Sequence, residues 1–252
     1  MSGDPRLVQL TGEAMTRLVS AIPLVAERTG SPVIVVGGLA VVCRLGTPYR
    51  ATIDLDTVDV QTAGSRPHLE ILLAEATESG PSGVLLDTPL GPVQVDVLHV
   101  SQADRDPLPE DETDRLHVQS HAWAAATATD LQLAVAGAAP ITVAVAEPGP
   151  IIAMKLQAIM NRGAAKEGTD LLDILRLTLD TQCGPVSRDQ LEHADEQLRA
   201  DAFLHAQRWF QEHAARSLRR IRAVPEGHDV EADDVQLVGD LLRGALDLSS
   251  PS

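Results

Sequence analysis

The sequence predicts an α+β protein: a mixed sheet with flanking helices over residues 1–147, followed by a helical lobe over residues 148–252. Three observations carry this. Up to Glu147, short apolar runs suited to strands alternate with helical stretches. From Pro148 onward the apolar residues recur at helical spacing almost throughout. Hydrophobic residues make up 44% of the 252 positions, enough to bury the core of one large domain or of a compact pair of lobes.

The elements follow in chain order. Residues 7–28 have helical spacing and end at Gly30, which predicts an amphipathic helix. Pro32 to Val36 reads as a short apolar strand running into Gly37-Gly38, and residues 39–45 can start a helix directly from that glycine pair. ATIDLDTVDV, residues 51–60, has a strand period of two, and 66–79 reads as helix. Val84–Asp87 and Val93–Leu98 flank the turn-rich TPLGP and predict a hairpin. An acidic loop, 104–114, holds six acids against Arg105 and Arg115. LQLAVAG and ITVAVA are two further strand-like runs. The helices expected beyond them cover 149–162, 168–180, 187–198, 201–222 and 231–246.

Bulk properties argue against several function classes. The five aromatics (Tyr49, Trp123, Phe203, Trp209, Phe210) are too few to build stacking platforms for single-stranded nucleic acid. A net charge of −16 is opposite in sign to a phosphate-coating surface. One local exception is the stretch 208–222, with five arginines against Glu212, which is either a solvated helix face or a site for RNA or a partner protein. Cys43 and Cys183 have no framework spacing and call for no disulfide. MSGDPRLVQL lacks the charged and apolar regions of a leader, and no apolar stretch reaches the ~20 residues of a membrane span. The expected location is the cytoplasm, with no membrane partner.

In Ile53-Asp54-Leu55-Asp56, strand geometry puts both carboxylates on one face, their Cβ atoms about 7 Å apart. Converging side chains at that spacing can hold a divalent ion. An isolated Asp-x-Asp is more often two exposed acids on a half-buried strand. In Val93-Gln94-Val95-Asp96, Gln94 and Asp96 share the polar face, so Asp96 joins the pair if this strand lies beside 51–57. Three carboxylates supply the oxygen-rich coordination that Mg²⁺ prefers. Gly37-Gly38 before a helix N-terminus allows close approach of backbone to phosphate, although glycines also serve strand-to-helix turns for steric reasons alone. In the helical half, Lys155 and Arg162 share a face, and Asp170 and Asp173 lie one turn apart. Lys155 and Lys166 are the only lysines, and Lys155 rises from an apolar helix where a snorkelling stem is the ordinary alternative. The eight histidines show no metal-ligand spacing, and there is no Walker A sequence.

Taken together, VVGGLAVVCRLGTPYRATIDLD (35–56) resembles the opening motif of the AbiEii/MenT-type nucleotidyltransferases, a toxin branch of the polymerase-β-like nucleotidyltransferase superfamily. There a strand ends in GG or GS and a helix leads to Arg-x-Ser/Thr-x-Asp-x-Asp; here Gly37, Gly38, Arg50, Thr52, Asp54 and Asp56 hold those places. EPGPIIAMKLQAIMNRGAAKEGTDLLDIL (147–175) is similar to that branch's Lys-x-x-Ala-x-x-x-Arg helix and Asp-x-x-Asp, through Lys155, Ala158, Arg162, Asp170 and Asp173. The family often has a basic residue before the first Asp of that last motif, where this chain has Thr169, with Lys166 three residues earlier.

The resemblance implies a nucleotidyltransferase-like sheet and an NTP donor. It also implies Mg²⁺, in one or two ions, held by Asp54, Asp56 and Asp96. Asp96 would assist a second ion or take the proton of the attacking group. Gly37 and Gly38, with Arg50, Thr52, Lys155 and Arg162, would bind the nucleotide, and Asp170 and Asp173 would orient Lys155 or Arg162. The acceptor implied is an RNA 3′ end such as that of tRNA, in a toxin–antitoxin system with a cognate antitoxin protein. The acidic loop and net charge suit a small cationic acceptor such as an aminoglycoside better. A non-catalytic interaction protein on the same fold is the third possibility; Asp54, Asp56 and Lys155 speak against it.

Overall fold

The computed structural model describes residues 5–248 apart from residues 48, 75, 77, 81 and 82. Its described strands form one mixed sheet: β1 (Arg6–Gln9), β2 (Ile34–Val35), β3 (Asp54–Val60), β4 (Glu78–Ser79), β5 (Gly83–Leu86), β6 (Val93–Val100), β7 (Thr129–Ala134) and β8 (Ile141–Val145). Their order is β1-β7-β8-β2-β3-β6-β5-β4. The hairpin expected around TPLGP is present as β5 with β6, and the two further strand-like runs pair as β7 with β8, both antiparallel. β3 and β6 pair in parallel, bringing Asp54 opposite Gln94 and Asp56 opposite Asp96. Leu55, Val95 and Val97 are buried beneath these positions, as the alternation of the two strands requires.

Contacts divide the chain into two units, Met1–Asp106 with His121–Glu147, and Pro107–Ser120 with Pro148–Ser252. The sheet belongs to the first. In the second, α6 (Pro148–Ala158) is buried nearly throughout, continues as a 3-10 turn over Ile159–Asn161, and packs against α7 (Ala164–Leu179), α8 (Cys183–Glu192) and α9 (Glu196–Gln207). A helix apolar on every side is a core helix. Pro107–Ser120 groups with these helices through Arg115, whose guanidinium donates two 2.7 Å bonds to the buried Asp201 and others to the carbonyls of Pro109 and Glu110.

Several expectations are corrected. The helix read over 7–28 begins at Glu13: α1 (Glu13–Thr29) ends at the left-handed Gly30, and the segment before it is β1. Pairing with β7 overrides the helical spacing there, burying Val8 and leaving Leu7 half exposed. The helix read over 66–79 is only α3 (His68–Leu73), with β4 as an edge strand after it; residues 75 and 77 of that reading lie outside the described residues. The acidic loop is shortened by α4 (Gln102–Arg105) and by α5 (Glu112–Thr127), which sequence spacing does not announce. Ser101 and Asp104 cap α4 reciprocally, and Asp111 accepts from the amides of Thr113 and Asp114. Those amide bonds hold the Asp111 carboxyl below its usual range.

The helix read over 187–198 breaks between α8 and α9 because Asp195 caps α9, accepting from the amides of Gln197 and Leu198. The helix read over 201–222 is α9, a π stretch over Arg208–Glu212, and α10 (Ala214–Arg222). The Ser217 hydroxyl donates to the Trp209 carbonyl and helps hold that interruption. The last helix, α11 (Ala232–Leu246), lies where expected. Among the described residues no helix is long and apolar enough to cross a membrane.

Two buried groups give measurable consequences. Cys43, on α2 (Gly37–Leu45), is fully buried and free, and burial pushes its thiol up to about 12. It is expected to resist a disulfide reagent at pH 8 in the folded chain and to react at once in denaturant, which mass mapping of the labelled site would show. His205 is buried in the helical unit with neither ring nitrogen hydrogen-bonded. Burial first and the Arg208 charge second hold it below the ordinary imidazole range, against weaker opposite pulls from Glu112, Asp201 and Asp111. The unfolded chain therefore binds this proton more readily, and His205 costs the fold stability as pH falls below about 6.5. In urea midpoints measured from pH 5 to 8, His205→Phe is expected to flatten the acid limb; an unchanged slope would refute this.

Candidate metal centre

The sequence around the glycine pair folds as it does because of what stands opposite. At Gly37, the first residue of α2, φ is +62° and an added Cβ would meet the Asp56 carboxylate at 1.9 Å. Glycine is required there on both counts. The Gly38 amide donates to Asp56 Oδ2 at 3.3 Å. A Cβ on Gly38 would meet Thr52 Oγ1 at 2.7 Å and the Arg50 guanidinium at 2.9 Å. The glycine turn thus seats Asp56, Thr52 and Arg50 against the start of α2, where the helix dipole favours negative charge.

Asp54, Asp56 and Asp96 converge. Each offers a carboxylate oxygen, and these oxygens all lie within 4.8 Å of one another on half-buried side chains. Three unit charges at this spacing repel by about 3 kcal/mol per pair at an effective dielectric of 20, which a cation relieves. The donor set is carboxylate oxygen only. Octahedral Mg²⁺ places cis oxygens about 2.9 Å and trans oxygens about 4.2 Å apart, so small side-chain rotations suffice to fit it. The residues therefore suit a hard divalent ion and not zinc, whose sites draw on nitrogen and sulfur as well.

Each carboxylate also has a donor of its own. Thr52, buried, donates to Asp54 Oδ1 at 3.0 Å. Gly38 serves Asp56. Gln94 Nε2 donates to Asp96 Oδ1 at 2.7 Å. Gly83, on the neighbouring β5 and opposite Asp96, leaves the room for that last bond: a Cβ there would meet Asp96 Oδ1 at 2.0 Å and Gln94 Nε2 at 2.6 Å. Sequence reading gave no role to Gln94 or Gly83. Two signals were present: Gln94 shares the strand face of Asp96, and Gly83 stands where the hairpin register meets it.

Arg50 donates from Nη1 to the Ala51 carbonyl at 3.1 Å and lies 6.0 Å from the Tyr49 ring. Asp59, the third acid of the strand, points to the opposite face, where it is buried and accepts from the His68 amide at the start of α3. Arg44, also unremarked in sequence, is buried and ties α2 to the sheet end. It bonds the Ala146 carbonyl at 2.7 Å, the Val145 carbonyl and the Thr129 hydroxyl, and pairs with Glu147 at 3.1 Å.

The remaining predicted residues lie in the helical unit. Lys155 Nζ is 2.6 Å from Asp170 and 2.7 Å from Asp173, and Arg162 reaches Asp170 at 3.2 Å. Lys155, Asp170 and Asp173 are buried, whereas Arg162 and Lys166 are exposed. In the arginine stretch, Arg216 and Arg220 both pair with the buried Glu167, at 3.1 and 3.3 Å, and Arg222 pairs with Glu231 at 2.9 Å. Arg216 also lies over the Trp209 ring. Much of the basic charge in this stretch is thereby matched within the chain.

No protein-family model and no curated protein matches the sequence. Solved structures similar to it include two nucleotidyltransferase-like proteins. One is a candidate nucleotidyltransferase from H. pylori, at 14% identity and a TM-score of 0.47, covering 94% of this chain and 97% of that one. The other is an antigenic nucleotidyltransferase-like protein from Paracoccidioides brasiliensis, at 19% identity and a TM-score of 0.40, covering 75% and 93%. At such similarity the chemistry of this chain has to be read from its own residues.

Proposed function

We propose that this chain is an NTP-dependent nucleotidyltransferase whose reaction centre is Asp54, Asp56 and Asp96 with bound Mg²⁺. The observation that carries the reading is the convergence of three carboxylates from two paired strands beside a glycine-started helix. A binding scaffold has no need to hold three like charges so close. Asp54 and Asp56 would hold the ion, with Asp96 completing the set. Bound there, Mg²⁺ would supply Lewis acidity at the α-phosphate and offset charge on the triphosphate. In the transfer, an acceptor oxygen forms a bond to the α-phosphorus, the α–β bridge breaks and pyrophosphate leaves. The acceptor's proton passes to a carboxylate of the site, for which Asp96 is the choice. Arg50, set against Gly38, would steady the phosphates. For Lys155 and Arg162 a part in transfer rests on the family resemblance alone.

The acceptor we favour is an RNA 3′ end such as that of tRNA, in a toxin-like protein held in check by an antitoxin. A small cationic acceptor is the second reading, favoured by the net charge of −16 and by the pairing of Arg216, Arg220 and Arg222 within the chain. One experiment decides between them: the chain with Mg²⁺, each α-labelled NTP, total tRNA and an aminoglycoside panel. Label on tRNA supports the first reading and label on an aminoglycoside the second. Asp54→Ala should transfer none. If the wild-type chain labels nothing and releases no pyrophosphate, the enzyme reading is wrong and a non-catalytic role takes its place.

A further inference from the structure

Metal affinity depends on more than the ligating atoms. Groups that hold a carboxylate in one rotation remove the entropy of finding it, and losing such a partner typically weakens binding by about 10- to 100-fold. In this site the three carboxylates do not share one donor. A hydroxyl serves Asp54, a backbone amide serves Asp56 and a side-chain amide serves Asp96.

The donor to Asp96 has the most construction behind it. Gln94 and Asp96 are two residues apart on β6, on the same strand face, so their side chains stand side by side. Their bond is 2.7 Å, and both are half buried. The space it occupies is opened by Gly83 on β5, where any side chain would collide with both partners. β5 and β6 set this register, with Gly83 opposite Asp96 and Leu85 opposite Gln94. Three positions therefore act together: a glycine that clears the place, an amide that enters it and a carboxylate whose rotation the amide fixes.

We infer that Gln94 is a positioning residue for the metal centre, turning the Asp96 carboxylate so that one oxygen is engaged by Gln94 and the other is presented to the ion. The inference rests on the reading of Asp54, Asp56 and Asp96 as metal ligands. Gln94 itself touches neither ion nor substrate. Its effect falls on the affinity of the site for the ion, not on the stability of the metal-free fold.

The test uses Mn²⁺ as the probe, with free ion counted by its electron paramagnetic resonance signal, on the full chain. Gln94→Met keeps the length of the side chain and removes the donor. It is expected to bind Mn²⁺ about 10- to 100-fold more weakly than wild type, with an unchanged melting temperature in the absence of metal. Should Gln94→Met fold poorly, Gln94→Asn, whose shorter amide cannot span the same distance, takes its place with the same expectation. Wild-type Mn²⁺ affinity in a folded variant overturns the inference. Asp54→Asn separates this from failure of the underlying reading. If it abolishes binding while Gln94→Met changes nothing, only the role of Gln94 falls. If wild type binds no Mn²⁺, or Asp54→Asn binds it normally, the metal centre falls and Gln94 with it.

Discussion

Asp56→Asn is expected to abolish divalent-ion binding and nucleotidyl transfer together, while leaving the metal-free chain as stable as wild type or more so. Asp56 is the carboxylate around which the rest is arranged, paired in register with Asp96 and seated against Gly37 and Gly38. An asparagine keeps the shape, and its side-chain oxygen can still accept from the Gly38 amide. It loses the charge, and with it one of the three proposed ligands. The loss should exceed the ~100-fold that removal of an outer partner brings. Removing one of three mutually repelling charges also relieves the metal-free fold of about 3 kcal/mol per pair at most, before solvent screening. Titration calorimetry with Mn²⁺, melting with and without the ion, and label transfer from NTP measure the three effects. Asp59→Asn is the control, since Asp59 lies on the same strand and faces the other way. It should bind the ion normally and lose only about 1 kcal/mol as the cap of α3 is weakened. Normal Mn²⁺ binding by Asp56→Asn would end the assignment.

The shared strand faces of the three carboxylates were legible in the sequence because a strand alternates. Asp54 and Asp56 on one face, and Asp96 beside Gln94 on another strand, follow from the period of two, whereas their meeting needs the parallel pairing of β3 with β6. The set also works against β-propensity, which marks it. What could not be read depends on residues distant in the chain meeting in register. Gly83 looks like one more turn glycine until β5 is laid against β6. Arg44 looks like a helix-end arginine until β7 and β8 bring Thr129, Val145 and Glu147 to it. Helix breaks failed for a different reason. Asp195 is a strong cap, but helical spacing continues on both sides of it, so the period masked the stop. β1 failed because its four residues satisfy two periods, and only the parallel partner β7 chooses between them.

Lys155→Met should bring the largest loss of stability, and it also decides what the helical cluster is for. The Lys155 side chain is 8% exposed and its partners Asp170 and Asp173 are 2% and 0% exposed. One ammonium therefore faces two carboxylates in the core of the unit, and Arg162 reaches Asp170 as well. Taking away the cation leaves buried negative charge beside buried negative charge, and breaking such a pair from one side costs about 3–5 kcal/mol. For a chain of this size that lowers the melting temperature by roughly 10 °C. Replacing all three groups, as Lys155→Met with Asp170→Asn and Asp173→Asn, removes the uncompensated charges and should restore most of the loss. That restored chain separates two roles that the single variant confounds. If the ammonium acts on phosphate charge, as the family resemblance implies, the triple variant melts near wild type and transfers nothing. A triple variant that is stable and transfers at the wild-type rate would show that Lys155 serves the fold alone, and the reaction would then have to find its cation elsewhere, with Arg50 the first to try.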